Sequence, residues 1–179
     1  MRTHLSVRPT VMRAALALVA LTAFALAGGS ACDPCGEIEG AAAAEVGTAD
    51  SAGAFAPIED GQSLPYVRGI QGGTHVEGSV RIDNLFFPED AFLSEAELPL
   101  VTFTLHDSAA VQVGGFQDEP QPFSPTAGRQ QGERLGVEVR FFADGSEFVG
   151  DTLRLFVEVK DTCGQRASDE RTIVIAEGA

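Results

Sequence analysis

The feature that most constrains the fold is a series of short runs in which apolar and polar residues alternate. In Leu153–Lys160 four aliphatic residues all fall on odd positions. Successive side chains of a strand point to opposite faces, so this spacing predicts a strand with one buried face. Six other segments are predicted as strands. The segments 75–83, 100–106 and 134–142 alternate in the same way, 66–71 and 111–116 alternate more weakly, and 173–175 is a run of β-branched residues.

These strands predict the fold class. Seven or so strands, spaced by Gly, Pro and Asp turns over about 115 residues, are typical of a β-sandwich with Greek-key connections. We therefore expect an all-β, antiparallel sandwich over residues 63–179. In the segment 134–142, Leu135, Val137, Val139 and Phe141 are expected to share the buried face.

The N-terminus has the layout of an export signal. Three arginines, Arg2, Arg8 and Arg13, precede a stretch of 14 residues from Ala14 to Ala27 that is apolar except for Thr22. That stretch is shorter than the roughly 20 residues of a membrane-spanning helix and suits the apolar region of a signal peptide. Small residues follow it and provide cleavage sites after Ala27 or after Ala31. Residues 1–31 are therefore predicted to be a signal peptide.

Cleavage after Ala31 would leave Cys32 as the new N-terminus. A small-residue stretch ending in Cys resembles the lipobox of bacterial lipoproteins, whose cysteine is acylated and holds the protein to a membrane. The sequence departs from that motif, because Gly29 stands where Leu is usual. The resemblance implies a palmitate-type lipid on Cys32, and simple secretion is the alternative.

The cysteine count is odd, with Cys32, Cys35 and Cys163. If Cys32 carries a lipid, a Cys35–Cys163 disulfide accounts for the other two, as an oxidising compartment favours. Such a crosslink closes a loop of 128 residues, and the chain-entropy model predicts that it stabilises the folded state by about 4–5 kcal/mol. Cys32 to Cys35 is also a C-x-x-C, but no strand-then-helix pattern surrounds it, which argues against redox catalysis. The three cysteines and the two histidines of the mature chain also lack the spacing of a zinc site.

Residues 32–62 are rich in Ala, Gly and acidic side chains and poor in large apolar ones. Such a composition is typical of a flexible tether, so the folded domain is expected to start at residue 63.

The charge excludes one class of partner. The chain has 12 basic and 26 acidic residues and a net charge of −14, and loss of the three leader arginines makes it −17. Nucleic-acid binding needs clustered Lys and Arg, so no nucleic-acid partner is expected. An anionic membrane would also repel this surface, so a membrane partner would be held through a lipid anchor.

A family resemblance lies near the C-terminus. Val159, Asp161, Gly164, Ala167 and the run Thr172–Ile175 follow the closing hairpin of bacterial Ig-like domains of the PKD and cadherin-like kind. The order of signal, Cys, acidic linker and single sandwich is similar to that of uncharacterised bacterial envelope lipoproteins. The segment 69–85 also resembles a stretch that recurs in such proteins. The resemblance implies an Ig-like fold and a location in the periplasm or at the cell surface.

Candidate catalytic residues are few. The mature chain has two histidines, His75 and His106, and no G-x-S-x-G nucleophile motif. Paired carboxylates are abundant, and neighbours on a strand point to opposite faces, so no pair stands out. No calcium loop or phosphate loop is present. We therefore predict no catalytic residues, no metal site and no cofactor.

Two residues are candidates for surface contacts. His75 follows a flexible Gly72-Gly73-Thr74 turn, and Phe123 lies in a Pro-stiffened loop between Asp118 and Arg129. A buried Phe123 that closes one end of the core is the alternative for the second. We expect a non-enzymatic, lipid-anchored binding or structural module with an envelope protein or glycan as partner. A carboxylate-dependent hydrolase, a carbohydrate-binding sandwich and a calcium-stabilised adhesion domain are the alternatives.

Overall fold

The structure is a computed structural model that describes residues 35, 36, 38, 40–70, 72–88, 95–126 and 130–178. The predicted signal peptide, its cleavage sites and Cys32 lie outside the described residues.

The described part is an all-β sandwich, as predicted. Its strands are β1 (Ala43–Ala49), β2 (Phe55–Pro57), β3 (Gln62–Pro65), β4 (Val67–Arg68), β5 (Thr74–Asp83), β6 (Leu100–His106), β7 (Gln112–Pro120), β8 (Ser124–Pro125), β9 (Gln131–Arg140), β10 (Thr152–Lys160) and β11 (Arg166–Ala176). Two short 3-10 turns, Glu95–Glu97 and Gly145–Phe148, lie in the connections.

Two sheets form the layers of the sandwich. The first has the order β2-β1-β5-β9-β8, with β4 also paired to β5, and the second has the order β3-β11-β10-β6-β7. Every pairing is antiparallel except the parallel contact between β3 and β11. The seven predicted strands correspond to β4, β5, β6, β7, β9, β10 and β11. The missed strands β2, β3 and β8 have two to four residues, too few for an alternating pattern to be detected.

The core lies between the two sheets and uses the alternate faces that the sequence predicted. On β10, Leu153, Leu155, Val157 and Val159 are each at most 1% exposed. Val76, Val80 and Ile82 face them from β5 and are fully buried. Burying each such aliphatic side chain contributes about 1.5–3 kcal/mol, so these rows are the main source of stability.

The prediction of a flexible tether over residues 32–62 is wrong from residue 43 onward, where β1 and β2 lie. Strand β1 pairs with β5, and its Val46 is fully buried. Six of the seven β1 residues are Ala, Gly, Thr or Glu, and this composition conceals a strand whose stability comes from its neighbours. Among them is Asp169 of β11, whose carboxylate accepts a hydrogen bond from the backbone N–H of Val46 at 2.9 Å.

A β-bulge interrupts β9. The pairing shifts between Gly78, opposite Val137, and Val80, opposite Arg134, so Leu135 and Gly136 together oppose Ser79. Gly136 has φ 62° and donates its N–H to the Ser79 hydroxyl at 3.2 Å. The expected face is therefore correct for Val137, Val139 and Phe141, which are buried, and wrong for Leu135, which is only partly buried.

Three hairpin turns share one local structure. In each, an aspartate is joined by backbone hydrogen bonds to the third and fourth residues after it, and its carboxylate accepts a further bond from the fourth. The third residue after the aspartate adopts the left-handed conformation. The turns are Asp50–Ala54, Asp107–Val111 and Asp161–Gln165, with Gly53, Ala110 and Gly164 at the left-handed position.

Replacing Ala110 by Gly is expected to stabilise the protein. A left-handed conformation costs an L-residue roughly 1–2 kcal/mol, whereas Gly loses roughly 0.5–1 kcal/mol through chain entropy. We expect Ala110→Gly to raise the free energy of unfolding by about 0.5–1 kcal/mol, measured by urea titration of the oxidised protein.

The matched control is Gly53→Ala in the first turn. A Cβ there would meet no atom within 4 Å, so its expected loss of about 1 kcal/mol would come from the backbone conformation alone. A decrease in stability for Ala110→Gly would contradict this explanation.

Candidate functional site

The first candidate region is the end of the sandwich at which the described chain begins. Cys35 and Cys163 form the predicted disulfide, with their Cα atoms 5.5 Å apart and 128 residues between them in sequence. Cys163 lies in the turn between β10 and β11. The crosslink therefore holds the start of the domain against a hairpin that belongs to its core.

Asp161 stabilises the same end. Its side chain is 3% exposed and accepts hydrogen bonds from the backbone N–H groups of Gln165 at 2.8 Å and Phe86 at 2.9 Å. The first bond closes the turn that carries Cys163, and the second holds the segment after β5. A buried carboxylate with two backbone donors is satisfied, which fits a structural role.

The second candidate region is a cleft between β7 and β9. At one end of the cleft the two strands touch, where Gly114 bridges Phe141 and Phe142 donates its N–H to Val113. At the other end β8 pairs with β9 at Glu133 and Gly132. Between these points no pairing joins β7 to β9 in the described chain, and a cavity of about 460 Å³ opens. Its lining includes Phe116, Gln121, Arg134, Val137, Glu138 and Arg140.

Arg134 lies in this cleft because of the bulge in β9. It is paired with Val80, which is fully buried, and paired residues of two strands share a face. Arg134 is therefore placed on the core-facing side of its sheet, at the open margin between β9 and β7. Its Nε donates to Gln121 Oε1 at 2.9 Å, and its Nη1 donates to the Leu135 carbonyl at 3.2 Å.

The other charged pair of the cleft is Glu138 and Arg140. Both Nε and Nη2 of Arg140 donate to the Glu138 carboxylate, at 3.2 and 2.8 Å. These bonds lower the pKa of Glu138, and the charge of His75 lowers it further. Glu138 is thus held ionised and is already paired within its own strand.

The two predicted contact residues are largely covered. His75 is 7% exposed and lies on β5 between Val67 of β4 and Arg140 of β9. Phe123 is also 7% exposed, and its ring lies 5.9 Å from that of Phe87. Phe123 therefore matches the alternative in which it closes one end of the core. Arg134 was not identified as a site residue from the sequence. Gly136 was the available signal, because a Gly inside a strand often marks a bulge and a bulge changes which side chains face the core.

Asp60 and Asp169, which belong to adjacent acid pairs of the sequence, bind backbone, hydroxyl and arginine groups. Asp60 accepts bonds from the N–H and the hydroxyl of Thr172, at 2.8 and 2.9 Å. Asp169 accepts bonds from Val46 and Arg171. Within the described residues no His, Cys, Asp or Glu side chains group together in a way that would hold a metal. That part of the chain also contains no helix long and apolar enough to cross a membrane.

Comparison with known proteins finds no matching family model, curated protein or solved structure. The resemblance to bacterial Ig-like lipoproteins stays a prediction from the sequence.

Replacing Asp161 by Ala is expected to lower the free energy of unfolding by about 2–4 kcal/mol, because two partly buried N–H groups lose their acceptor. Chemical denaturation of the oxidised protein measures it. The control is Asp107→Ala, which removes two similar bonds at an exposed turn. Water replaces that acceptor, so the expected loss is about 1 kcal/mol. Equal losses at the two positions would contradict the role of burial.

Asp60 is expected to make stability fall in acid. The hydrogen bonds from Thr172 lower the pKa of Asp60 from its ordinary value of 3.8. A carboxylate whose pKa is lowered by folding stabilises the protein at pH values above its ordinary pKa. This stabilisation is lost as the pH falls through the lowered pKa. The difference in unfolding free energy between the wild type and Asp60→Asn should therefore be constant near neutral pH and shrink below pH 3.8.

Urea titrations over a pH series measure that difference. Thr172→Val removes the hydroxyl donor and keeps the backbone donor, so it should reduce the same pH dependence only in part. A difference between the wild type and Asp60→Asn that does not change with pH would show that the bonds to Thr172 do not favour the ionised form.

Proposed function

We propose that this protein is exported, held to a membrane by a lipid on Cys32, and acts in the cell envelope as a binding or structural module without enzymatic activity. The observation that carries the proposal is the Cys35–Cys163 disulfide. It uses two of the three cysteines and leaves Cys32, which follows the signal-like leader, for acylation. Disulfides persist in oxidising compartments, which supports export.

The disulfide also determines how far the domain can lie from such an anchor. Two residues, Asp33 and Pro34, separate Cys32 from Cys35. Three Cα–Cα steps of an extended chain span at most about 11 Å. A lipid on Cys32 would therefore hold the end with the β10–β11 turn close to the bilayer, without the long spacer expected from composition.

The charge of the chain supports a covalent anchor. The mature chain has a net charge of −17, and anionic lipid headgroups repel such a surface. One acyl chain alone gives only reversible binding, so lipid attachment at a lipoprotein-type N-terminal Cys with more than one chain fits stable anchoring best.

The use of the carboxylates supports a role without catalysis. Asp50, Asp107 and Asp161 close turns through backbone N–H groups, and Asp60 and Asp169 join β11 to neighbouring segments. Carboxylates with such bonds are engaged in the fold. A general acid or base instead needs a carboxylate directed at substrate.

The test is metabolic labelling with an alkyne fatty acid. We expect the wild type to be labelled and Cys32→Ser to lose the label, because the thiol of Cys32 is the acceptor. The control is the double variant Cys35→Ser/Cys163→Ser, which removes the disulfide and should keep the label. An unlabelled wild type, or a labelled Cys32→Ser, would falsify the lipid anchor.

A further inference from the structure

Arg134 differs from the other arginines of the described chain in having no carboxylate partner. The others all form ion pairs: Arg68, Arg81, Arg140, Arg154, Arg166 and Arg171. In a chain with 26 acidic and 12 basic residues, carboxylates are in excess. An arginine without one, on the core-facing side of a sheet, therefore indicates a cation that is kept for another partner.

The guanidinium of Arg134 is oriented before any ligand arrives. Two of its five N–H donors are used, by Gln121 Oε1 and the Leu135 carbonyl. The remaining donors include both of Nη2, and Arg134 lines the cleft. A guanidinium held in one orientation loses little entropy when it binds an anion, and its planar fork matches a carboxylate.

The surroundings select the rest of the ligand. The volume of about 460 Å³ is that of a small-molecule site. Phe116 and Val137 provide apolar walls, and the Phe116 ring is fixed by Phe103 at 5.9 Å between centroids. Of the acidic residues that line the cleft, Glu138 is paired with Arg140, and Glu119 is exposed at the rim.

We propose that the cleft between β7 and β9 binds a small organic carboxylate. Its carboxylate pairs with Arg134, and its apolar part packs against Phe116 and Val137. The site depends on the bulge at Gly136, which directs Arg134 to the inner side of the sheet. The inference deepens the proposed binding role and rests on it for its setting in the envelope.

The test uses phenylacetate as the probe and the purified, disulfide-bonded protein. We expect saturable changes in the amide NMR signals of Gly115 and Gly136 with a dissociation constant in the millimolar range. Phenylacetamide has the same ring without the charge and should bind at least tenfold more weakly. Arg134→Gln should reduce phenylacetate affinity at least tenfold, whereas Arg154→Gln, a surface arginine paired with Glu170, should leave it unchanged.

A second variant keeps the test valid if Arg134→Gln does not fold. Gln121→Glu has the same shape and places a carboxylate on Arg134 Nε, so it should compete with the ligand and weaken binding at least tenfold. The absence of saturable shifts in the wild type, or equal affinity in Arg134→Gln or Gln121→Glu, would overturn the proposal. Fatty-acid labelling of Cys32 does not depend on this cleft, so each proposal can fail while the other holds.

Discussion

The burial of facing aliphatic rows between two sheets is the interaction on which the rest of the structure depends. Leu153, Leu155, Val157 and Val159 lie on one side and the inner residues of β5 on the other, all at 1% exposure or less. Because a strand has a period of two, a shift of one residue in register would expose a whole row. The rows therefore determine the register of both sheets, and that register determines where the turns and clefts lie.

Polar groups hold the segments that the core cannot hold. Strand β1 has little apolar surface, and it is joined to β11 by the bond from Val46 to Asp169. The segment before β3 is joined to the same strand through Asp60 and Thr172. A covalent bond, the Cys35–Cys163 disulfide, holds the start of the domain. An acidic chain thus uses carboxylates as acceptors for backbone donors that would otherwise lack a partner.

The candidate ligand site exists because the alternation on β9 is broken once. One extra residue at the bulge moves Leu135 away from the core face and brings Arg134 onto it. Across the cleft, β7 is irregular as well, with shifts in its pairing to β6. Bulges also protect exposed strand edges from pairing with other chains. The same irregularity thus separates the two edges and provides the cleft with a cation.

The sequence by itself determined the all-β class, the strands with strong alternation and the face that β10 buries, and it predicted the Cys35–Cys163 pairing on the condition that Cys32 is acylated. Those features depend on local periodicity or on the count of cysteines. The tertiary structure alone decided that β1 is a strand, that Phe123 closes the core and that Arg134 faces inward. Alanine-rich β1 is stabilised by partners about 35 and 120 residues away in sequence, and the bulge is defined by its pairing with Ser79. Such interactions join distant residues, so no local pattern reveals them.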